Sequence, residues 1–187
     1  MNLKCGCPAS FPDWHQQDID LGGDLVHTAT TPMFLHMPIG YELRANRQRE
    51  TLERLKLKER WPGLVLIQTG LLSGKLLRLL EPAVSPAHGL SYLASPFQVR
   101  GFLHQGPVTT VSTSVRQMQS TLVNAGRRPL ELYLGHLTCP HCAAQRGGEK
   151  ILLLRHSAGS PALLKRVTSR QAASSFAAGN SNANTPS

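Results

Sequence analysis

Residues at helical spacing occur in two separate stretches of the chain. In YELRANRQRETLERL, which begins at Tyr41, positions 41, 45, 48, 52 and 55 share one helical face. In VSTSVRQMQSTLVNA, which begins at Val111, positions 111, 115, 118, 122 and 125 follow the same steps. This spacing is typical of an amphipathic helix with one buried stripe. We therefore predict two packed helices, the second capped by Thr109 or Thr110 and ended by Gly126.

Short apolar runs, which predict β-strands, flank both helices in the same order. A strand ending in Phe-Leu-His precedes each helix, at 34–36 and at 102–104. After each helix, a strand runs to a glycine, and the chain then returns on a Leu-rich strand. We predict an α+β fold of two βαββ repeats, 25–82 and 96–156, that arose by internal duplication. Chance similarity between two ordinary α+β units is the alternative.

The ends of the chain differ in composition from this predicted domain, which spans residues 25–158. Residues 1–24 are rich in Pro, Gly and Asp, which predicts an irregular but ordered N-terminal segment. Residues 171–187 contain mostly small and polar side chains. Because such a composition offers little apolar surface to bury, we predict a disordered tail there.

Four cysteines form two close pairs. Cys5 and Cys7 lie near the start of the chain, and Cys139 and Cys142 lie in LTCPHCAAQRGGEK. The first repeat has only LLSG at the corresponding place, so the second pair occupies an insertion at a hairpin tip. Four thiolates can form a closed tetrahedral zinc site. We predict that all four cysteines bind a structural zinc ion, which fixes the N-terminal segment beside the second hairpin.

Other interpretations of the cysteines remain open. His15, His27 or His141 would be able to replace one thiolate, and an iron–sulfur cluster is a further alternative to zinc. Cys-Pro-His-Cys also occurs in thiol oxidases, but a thioredoxin-like site opens a long helix. Here AAQRGGEK leaves room for barely two helical turns. The remaining alternative is four reduced cysteines that have no shared role.

The second repeat carries a resemblance to a known family. It opens on FQVRGFLHQGPVTTVSTSVRQMQ, where a strand ends in a His-x-Gly-Pro turn before the helix. Together with the repeated strand–helix–strand–strand order, this resembles the gyrase-inhibitor-like effector-binding domains over about residues 26–156. The resemblance implies a pseudo-twofold axis between the repeats and a groove that binds small, often cationic or aromatic molecules. The cysteine pairs and the N-terminal segment depart from the family's pattern.

The same resemblance implies candidate ligand-binding residues. An acidic residue on a strand of the second repeat commonly contributes to binding in that family. Glu131 is the matching position, and Tyr133 faces the same side of the predicted strand. His36 and His104 occupy equivalent places in the two repeats, so we expect them at the groove or its rim. We expect Trp61 and Tyr41 to contribute apolar wall.

Charge and composition add further expectations. Lys and Arg outnumber Asp and Glu by 20 to 11, which favours nucleic acid as a partner. However, the cations are scattered and aromatic residues make up only 5%, too few for base stacking. We therefore expect a basic solvated surface and no nucleic-acid partner. The apolar stretches are too short for a secretory signal or a membrane span, so we expect a cytoplasmic protein.

These patterns favour a small-molecule binding protein with a structural zinc site. One alternative is an enzyme, a hydrolase or an isomerase, that uses the same groove with His104 or Glu131 as general base. Another is a nucleic-acid-associated protein that contains zinc.

Overall fold

A computed structural model describes residue 3 and residues 5–83 and 89–169, and the predicted tail 171–187 lies outside these residues. The strands are β1 Asp18–Asp20, β2 Leu25–Phe34, β3 Met37–Pro38, β4 Leu66–Gln68, β5 Ser73–Leu79, β6 Leu90–Tyr92, β7 Gln98–Gln105, β8 Arg127–His136 and β9 Lys150–Gly159. The helices are α1 Tyr41–Arg54, α2 Val111–Asn124, α3 Pro140–Ala143 and α4 161–169, with short 3₁₀ turns at Val108–Thr110 and Ala144–Arg146. No helix in the described part of the chain is long and apolar enough to cross a bilayer.

The strands form one sheet in which every neighbouring pair is antiparallel. Its order is β1-β7-β9-β8-β4-β5-β2-β3, with β6 also paired to β2. Strands β2, β5 and β4 therefore mirror β7, β9 and β8, and the two sets meet where β4 pairs with β8. The predicted α+β class with an antiparallel sheet is confirmed. The order is consistent with the predicted duplication, which stays a prediction.

Both predicted helices form and pack on one face of the sheet. Ala45, Gln48 and Leu52 are buried on α1, and α2 buries Val111, Ser114, Met118 and Leu122. The stripes follow from the spacing in the sequence, since i, i+3 and i+4 positions share a helical face. Helix α2 follows Thr110, whose side chain makes no capping hydrogen bond, and Gly126 follows with φ 69°.

The other face of the sheet is covered by segments without a long helix. Its apolar side chains include Leu66, Leu77, Val99, Tyr133, Leu152 and Leu154. Side chains from the N-terminal segment pack against them, among them Phe11 and Trp14. This segment is irregular except for β1, which pairs with β7 at the edge of the sheet. We call this second face the ligand face, because Glu131 and Tyr133, which the sequence predicts to bind a ligand, lie on it.

The predicted insertion lies between β8 and β9. The matching turn between β4 and β5 spans only residues 69–72, whereas residues 137–149 fold into α3 and a 3₁₀ turn. Gly147 and Gly148 have φ values of 74° and 101°, a conformation that glycine adopts without steric cost. These two glycines therefore allow the chain to turn from the insertion directly into β9.

Candidate metal centre and ligand face

Backbone geometry fixes the second cysteine pair at the start of α3. Cys139 is extended, with φ −113° and ψ 171°, and Pro140 occupies the first helical position. Proline suits this position because its missing N–H needs no partner there. The N–H of Cys142 donates to the carbonyl oxygen of Cys139 (3.0 Å). The N–H of Cys139 donates to the Cys142 sulfur (3.3 Å), so both sulfurs are held on one side of the turn.

A tight turn positions the first pair. The N–H of Leu3 donates to the carbonyl oxygen of Cys7 (2.9 Å), and the N–H of Gly6 donates to that of Leu3 (2.8 Å). Gly6 has φ 82°, a left-handed conformation that side chains rarely tolerate. The turn thereby brings the sulfur atoms of Cys5 and Cys7 close together.

The two pairs lie together. The sulfur atoms of Cys5, Cys7, Cys139 and Cys142 all lie within 4.8 Å of one another, and those of Cys139 and Cys142 are 3.8 Å apart. None is in a disulfide. With a metal–sulfur distance of about 2.3 Å, tetrahedral geometry requires sulfurs about 3.8 Å apart. The four cysteines therefore cluster within metal-binding distance, as predicted from their spacing.

The surroundings of the sulfurs shift the pKa values of two cysteine thiols in opposite directions. Hydrogen bonds from the backbone N–H groups of Cys142 and His141 help to lower the pKa of Cys139 to about 6. Burial and the neighbouring thiols raise the pKa of Cys7 above its ordinary value. A divalent cation favours the thiolate form of every sulfur that it binds. The donor set thus fits a soft or borderline cation.

Arg146 is a second link between the insertion and the N-terminal segment, one that sequence reasoning missed. Its Nη1 donates to the carbonyl oxygens of Pro8 and Leu137, at 2.9 Å each. Its guanidinium also lies 5.8 Å from the ring centroid of Phe11. A planar fork of donors is able to satisfy several acceptors at once. The segment is therefore fixed beside the sulfurs by a charged side chain as well.

Glu131 and Tyr133 lie on the ligand face, next to two residues that the sequence did not single out. The His156 Nδ1 lies 2.7 Å from Oε2 of Glu131, and the Phe97 ring stacks on the His156 ring at 4.1 Å between centroids. Phe97 also meets Tyr133 edge-on, with centroids 6.2 Å apart. The structure therefore brings together a carboxylate, an imidazole and two aromatic rings.

Electrostatics at this cluster favour an ionised Glu131. Partial burial raises its pKa, but the hydrogen bond and charge of His156, a backbone hydrogen bond and the charge of Arg155 outweigh it, so the pKa lies below its ordinary value. Burial, together with the charge of Glu131, raises the pKa of Tyr133 to about 12. At neutral pH the site therefore offers one exposed anion beside a neutral phenol.

A small apolar cavity adjoins these rings. Its lining includes Leu21, Leu93, Phe97, Tyr133 and Leu154. The space, about 10 Å³, has room for roughly one water molecule. Ligand pockets for organic molecules are commonly about 300–1,000 Å³, so the cavity is far smaller than such a molecule.

Of the remaining predicted groove residues, only Trp61 lies on the ligand face. It packs against the apolar cluster of this face and meets Trp14 edge-on, with centroids 6.5 Å apart. Its indole nitrogen is buried and has no hydrogen-bond partner among the described residues. Tyr41 instead packs with Leu76 on the helix-covered face. Since Leu76 and Leu77 point to opposite sides of β5, Tyr41 is separated from Tyr133 by the sheet.

The two histidines predicted to be equivalent lie in different surroundings. His36 is exposed in the β2–β3 turn, with φ 70°. His104 is buried, and its Nδ1 lies 2.8 Å from the hydroxyl oxygen of Ser114 on α2. Its Nε2 lies 3.0 Å from the hydroxyl of Thr110. The structure therefore does not bring either histidine to the ligand face.

The fold is shared with solved structures. The C-terminal domain of EcmrR aligns with a TM-score of 0.56 and 7% identity, over 76% of this chain and 96% of that one. An uncharacterized conserved protein from Listeria innocua gives 0.57 and 10%, over 79% and 94%. The first two are proteins of the gyrase-inhibitor-like fold. This chain shares that fold.

A third structure, a hydrolase from Listeria innocua, aligns with a TM-score of 0.57 and 12% identity, over 79% of this chain and 94% of that one. No family model matches the sequence, and a search of the curated proteins gives no significant match. At these identities the likeness shows the gyrase-inhibitor-like fold alone. The resemblance predicted from the HQGP turn and the strand order is thus supported at the level of fold.

Proposed function

We propose that the protein binds a small cationic or aromatic organic molecule on the ligand face. The observation that carries the proposal is the exposed Glu131 carboxylate beside the packed rings of Tyr133 and Phe97. A carboxylate attracts a cation, and aromatic rings bind flat apolar or cationic groups. The buried, unpartnered indole N–H of Trp61 supplies a donor for an acceptor atom of the ligand. Analogy with the gyrase-inhibitor-like fold supports the same conclusion.

We further propose that the four cysteines hold a structural zinc ion. Four thiolates form a closed set that leaves no position for a substrate, which is typical of structural zinc sites. The ion would join the N-terminal segment to the β8–β9 insertion, because each supplies two of the ligands. Its binding free energy would then order a segment that has little core of its own.

Binding of a planar aromatic cation tests the first proposal. Thioflavin T, titrated against zinc-loaded and zinc-free protein, is expected to bind in at least one of these states. In that state Glu131→Gln should weaken binding about tenfold, because the paired carboxylate charge is lost. Glu53→Gln, which changes an exposed acid of α1, is the matched control. Absence of binding in both states, or equal binding by both variants, contradicts the proposal.

Elemental analysis of purified protein tests the second proposal. We expect one equivalent of zinc, which is lost in both Cys5→Ser and Cys139→Ser. His141→Ala is the control, because His141 lies between the cysteines of the second pair but outside the cluster of sulfurs. Retention of zinc in Cys5→Ser would show that the N-terminal pair does not bind the ion.

An enzyme on the same face is the second candidate. The hydrogen bond between His156 and Glu131 favours it, because a carboxylate that orients an imidazole is a common general-base arrangement. Hydrolysis of nitrophenyl esters that is abolished by His156→Ala, with dye binding retained, would support this function over simple binding.

A further inference from the structure

The ligand face is covered by a part of the chain that has no counterpart in the predicted repeats. Phe11 and Trp14 pack on the apolar cluster that also contains Tyr133. The backbone of Trp14 lies directly on Gly101 of β7, where a Cβ atom would collide with it. The indole of Trp14 meets Trp61 edge-on. Aromatic side chains of the protein itself therefore occupy the surface proposed to bind aromatic ligands.

This cover is attached mainly at its two ends. At its start, Cys5 and Cys7 lie in the sulfur cluster, and the carbonyl of Pro8 accepts from Arg146. At its far end, β1 pairs with β7 over three residues. Between them, the backbone bonds to β7 run from the N–H of Gln16 to the carbonyl of Gly101 (2.9 Å) and from the N–H of Gly101 to the carbonyl of Gln17 (2.8 Å). The N–H of Leu103 also donates to Nδ1 of His15 (3.0 Å). Residues 10–14 are held by the apolar packing of Phe11 and Trp14 on the sheet and by Arg146, which lies over the Phe11 ring.

The cover leaves no layer for an organic ligand where it touches the sheet, because Phe11 and Trp14 pack directly on the apolar cluster and the Trp14 backbone lies against Gly101. The small cavity beside Tyr133, with room for about one water molecule, is lined by other residues, among them Leu21, Leu93 and Phe97. A ligand that reaches this surface must therefore displace part of the cover. Displacing the cover costs less free energy once Cys5 and Cys7 are detached. Metal binding at these cysteines supplies the free energy that orders the segment, and this contribution is then lost.

We propose that residues 5–17 form a strap which zinc holds over the ligand face, so that zinc and ligand bind antagonistically. The inference rests on the proposed ligand and zinc sites and adds their regulation. Loss of zinc releases the strap, removes Phe11 and Trp14 from the sheet, and exposes the apolar cluster of the ligand face around Trp61. Linkage makes the effect reciprocal, so the ligand lowers zinc affinity by the same factor.

One glycine allows the strap to be released without changing a cysteine, and a second glycine provides the control. Gly101→Ala adds a methyl group that collides with the strap backbone at Trp14. Gly159→Ala at the end of β9 adds the same group into open space and is the matched control. Trp14→Ala provides a second route, since it removes the indole that packs on the sheet and meets Trp61 edge-on. Zinc content and far-UV circular dichroism show that the variants stay loaded and folded.

Thioflavin T affinity in the full-length protein then tests the strap. We expect binding to zinc-loaded wild type to be weak and to tighten about tenfold or more when zinc is removed with a chelator. Zinc-loaded Gly101→Ala and Trp14→Ala should bind the dye as tightly as the zinc-free wild type, whereas Gly159→Ala should match the loaded wild type. Saturating dye should weaken zinc binding, measured by competition with a colorimetric chelator, by the same factor.

The possible failures are distinguishable. Equal dye affinity in loaded, stripped and Gly101→Ala protein, with a loss in Glu131→Gln, overturns the strap and leaves the ligand proposal intact. No dye binding in any state overturns the ligand proposal and the antagonism with it. Tighter binding in the stripped protein only, with loaded Gly101→Ala and Trp14→Ala unchanged, also overturns the strap, because general loosening would then explain the effect of the chelator.

Discussion

The His156–Glu131 hydrogen bond helps to hold the pKa of Glu131 below its ordinary value. Because the pKa of Glu131 is lower in the folded protein than in the unfolded chain, its ionised form stabilises the fold above the unfolded pKa. This contribution is lost as the pH falls through the folded pKa. We predict that His156→Ala raises the pKa of Glu131, since it removes the hydrogen bond and the charge that counteract the effect of burial.

A carbon NMR titration of the Glu131 carboxyl group measures this shift. His141→Ala, which changes an exposed histidine of the insertion, should leave the midpoint where it is in the wild type. An unchanged midpoint in His156→Ala would mean that the hydrogen bond does not lower the pKa of Glu131.

Individual residues also show what the sequence was able to predict. The two C-x₁₋₂-C pairs supported the prediction of the cysteine cluster, because short spacing brings the sulfurs of each pair together and a closed thiolate site needs two such pairs. The partners of Glu131 were not predictable in this way, since Phe97 and His156 reach it only through the packing of separate strands. Arg146 was missed for the same reason, as its acceptors on Pro8 and Leu137 are backbone atoms.

At the scale of elements, the helices were predictable and the strand ends were not. The buried stripes of α1 and α2 follow from local spacing. The Phe-Leu-His motif repeats in sequence, but β2 ends at Phe34 while β7 continues to Gln105. His36 therefore enters a turn, whereas His104 stays in a strand and faces α2. Where a strand ends depends on its pairing with distant residues, and a comparison of two short sequence segments does not reveal that pairing.

A polar network fixes helix α1 to the sheet. The buried Arg78 guanidinium donates from Nε to Oε1 of Gln48 (3.0 Å), from Nη2 to the carbonyl of Ala45 (3.0 Å) and from Nη1 to Glu59 (2.7 Å). We predict that Arg78→Met lowers the free energy of unfolding by about 3–5 kcal/mol, because the largely buried Glu59 carboxylate loses its cation and keeps the hydrogen bond from the N–H of Gly63 (2.8 Å).

Urea unfolding measures this loss. Arg49→Met breaks an exposed 3.9 Å pair with Glu53 and should cost about 0.5 kcal/mol or less. The double variant Glu59→Gln/Arg78→Met should recover part of the stability, since the unpaired charge is gone. A cost for Arg78→Met no larger than that for Arg49→Met would contradict a stabilising role of the network.

At the scale of the whole molecule, the β4–β8 ladder joins the two sets of strands in the described sheet. It pairs Leu66 with Gly135, Ile67 with Leu134 and Gln68 with Tyr133, so it also places Tyr133 beside the first set. A Cβ atom at Gly135 would lie 2.9 Å from a methyl carbon of Leu64 and 3.3 Å from one of Leu66. Glycine is therefore the residue that permits this close approach.

We predict that Gly135→Val weakens the junction between the two sets of strands. Overpacking commonly costs about 1–3 kcal/mol, and here the strain falls on the three-residue ladder on which the relative position of the sets depends. Urea unfolding should show a lower midpoint, whereas Gly159→Val, which extends into open space, should leave it unchanged. Because the ligand face is built from both sets, Gly135→Val should also weaken dye binding by zinc-free protein. Wild-type stability and binding in this variant would show that the junction tolerates a wider separation of the strands.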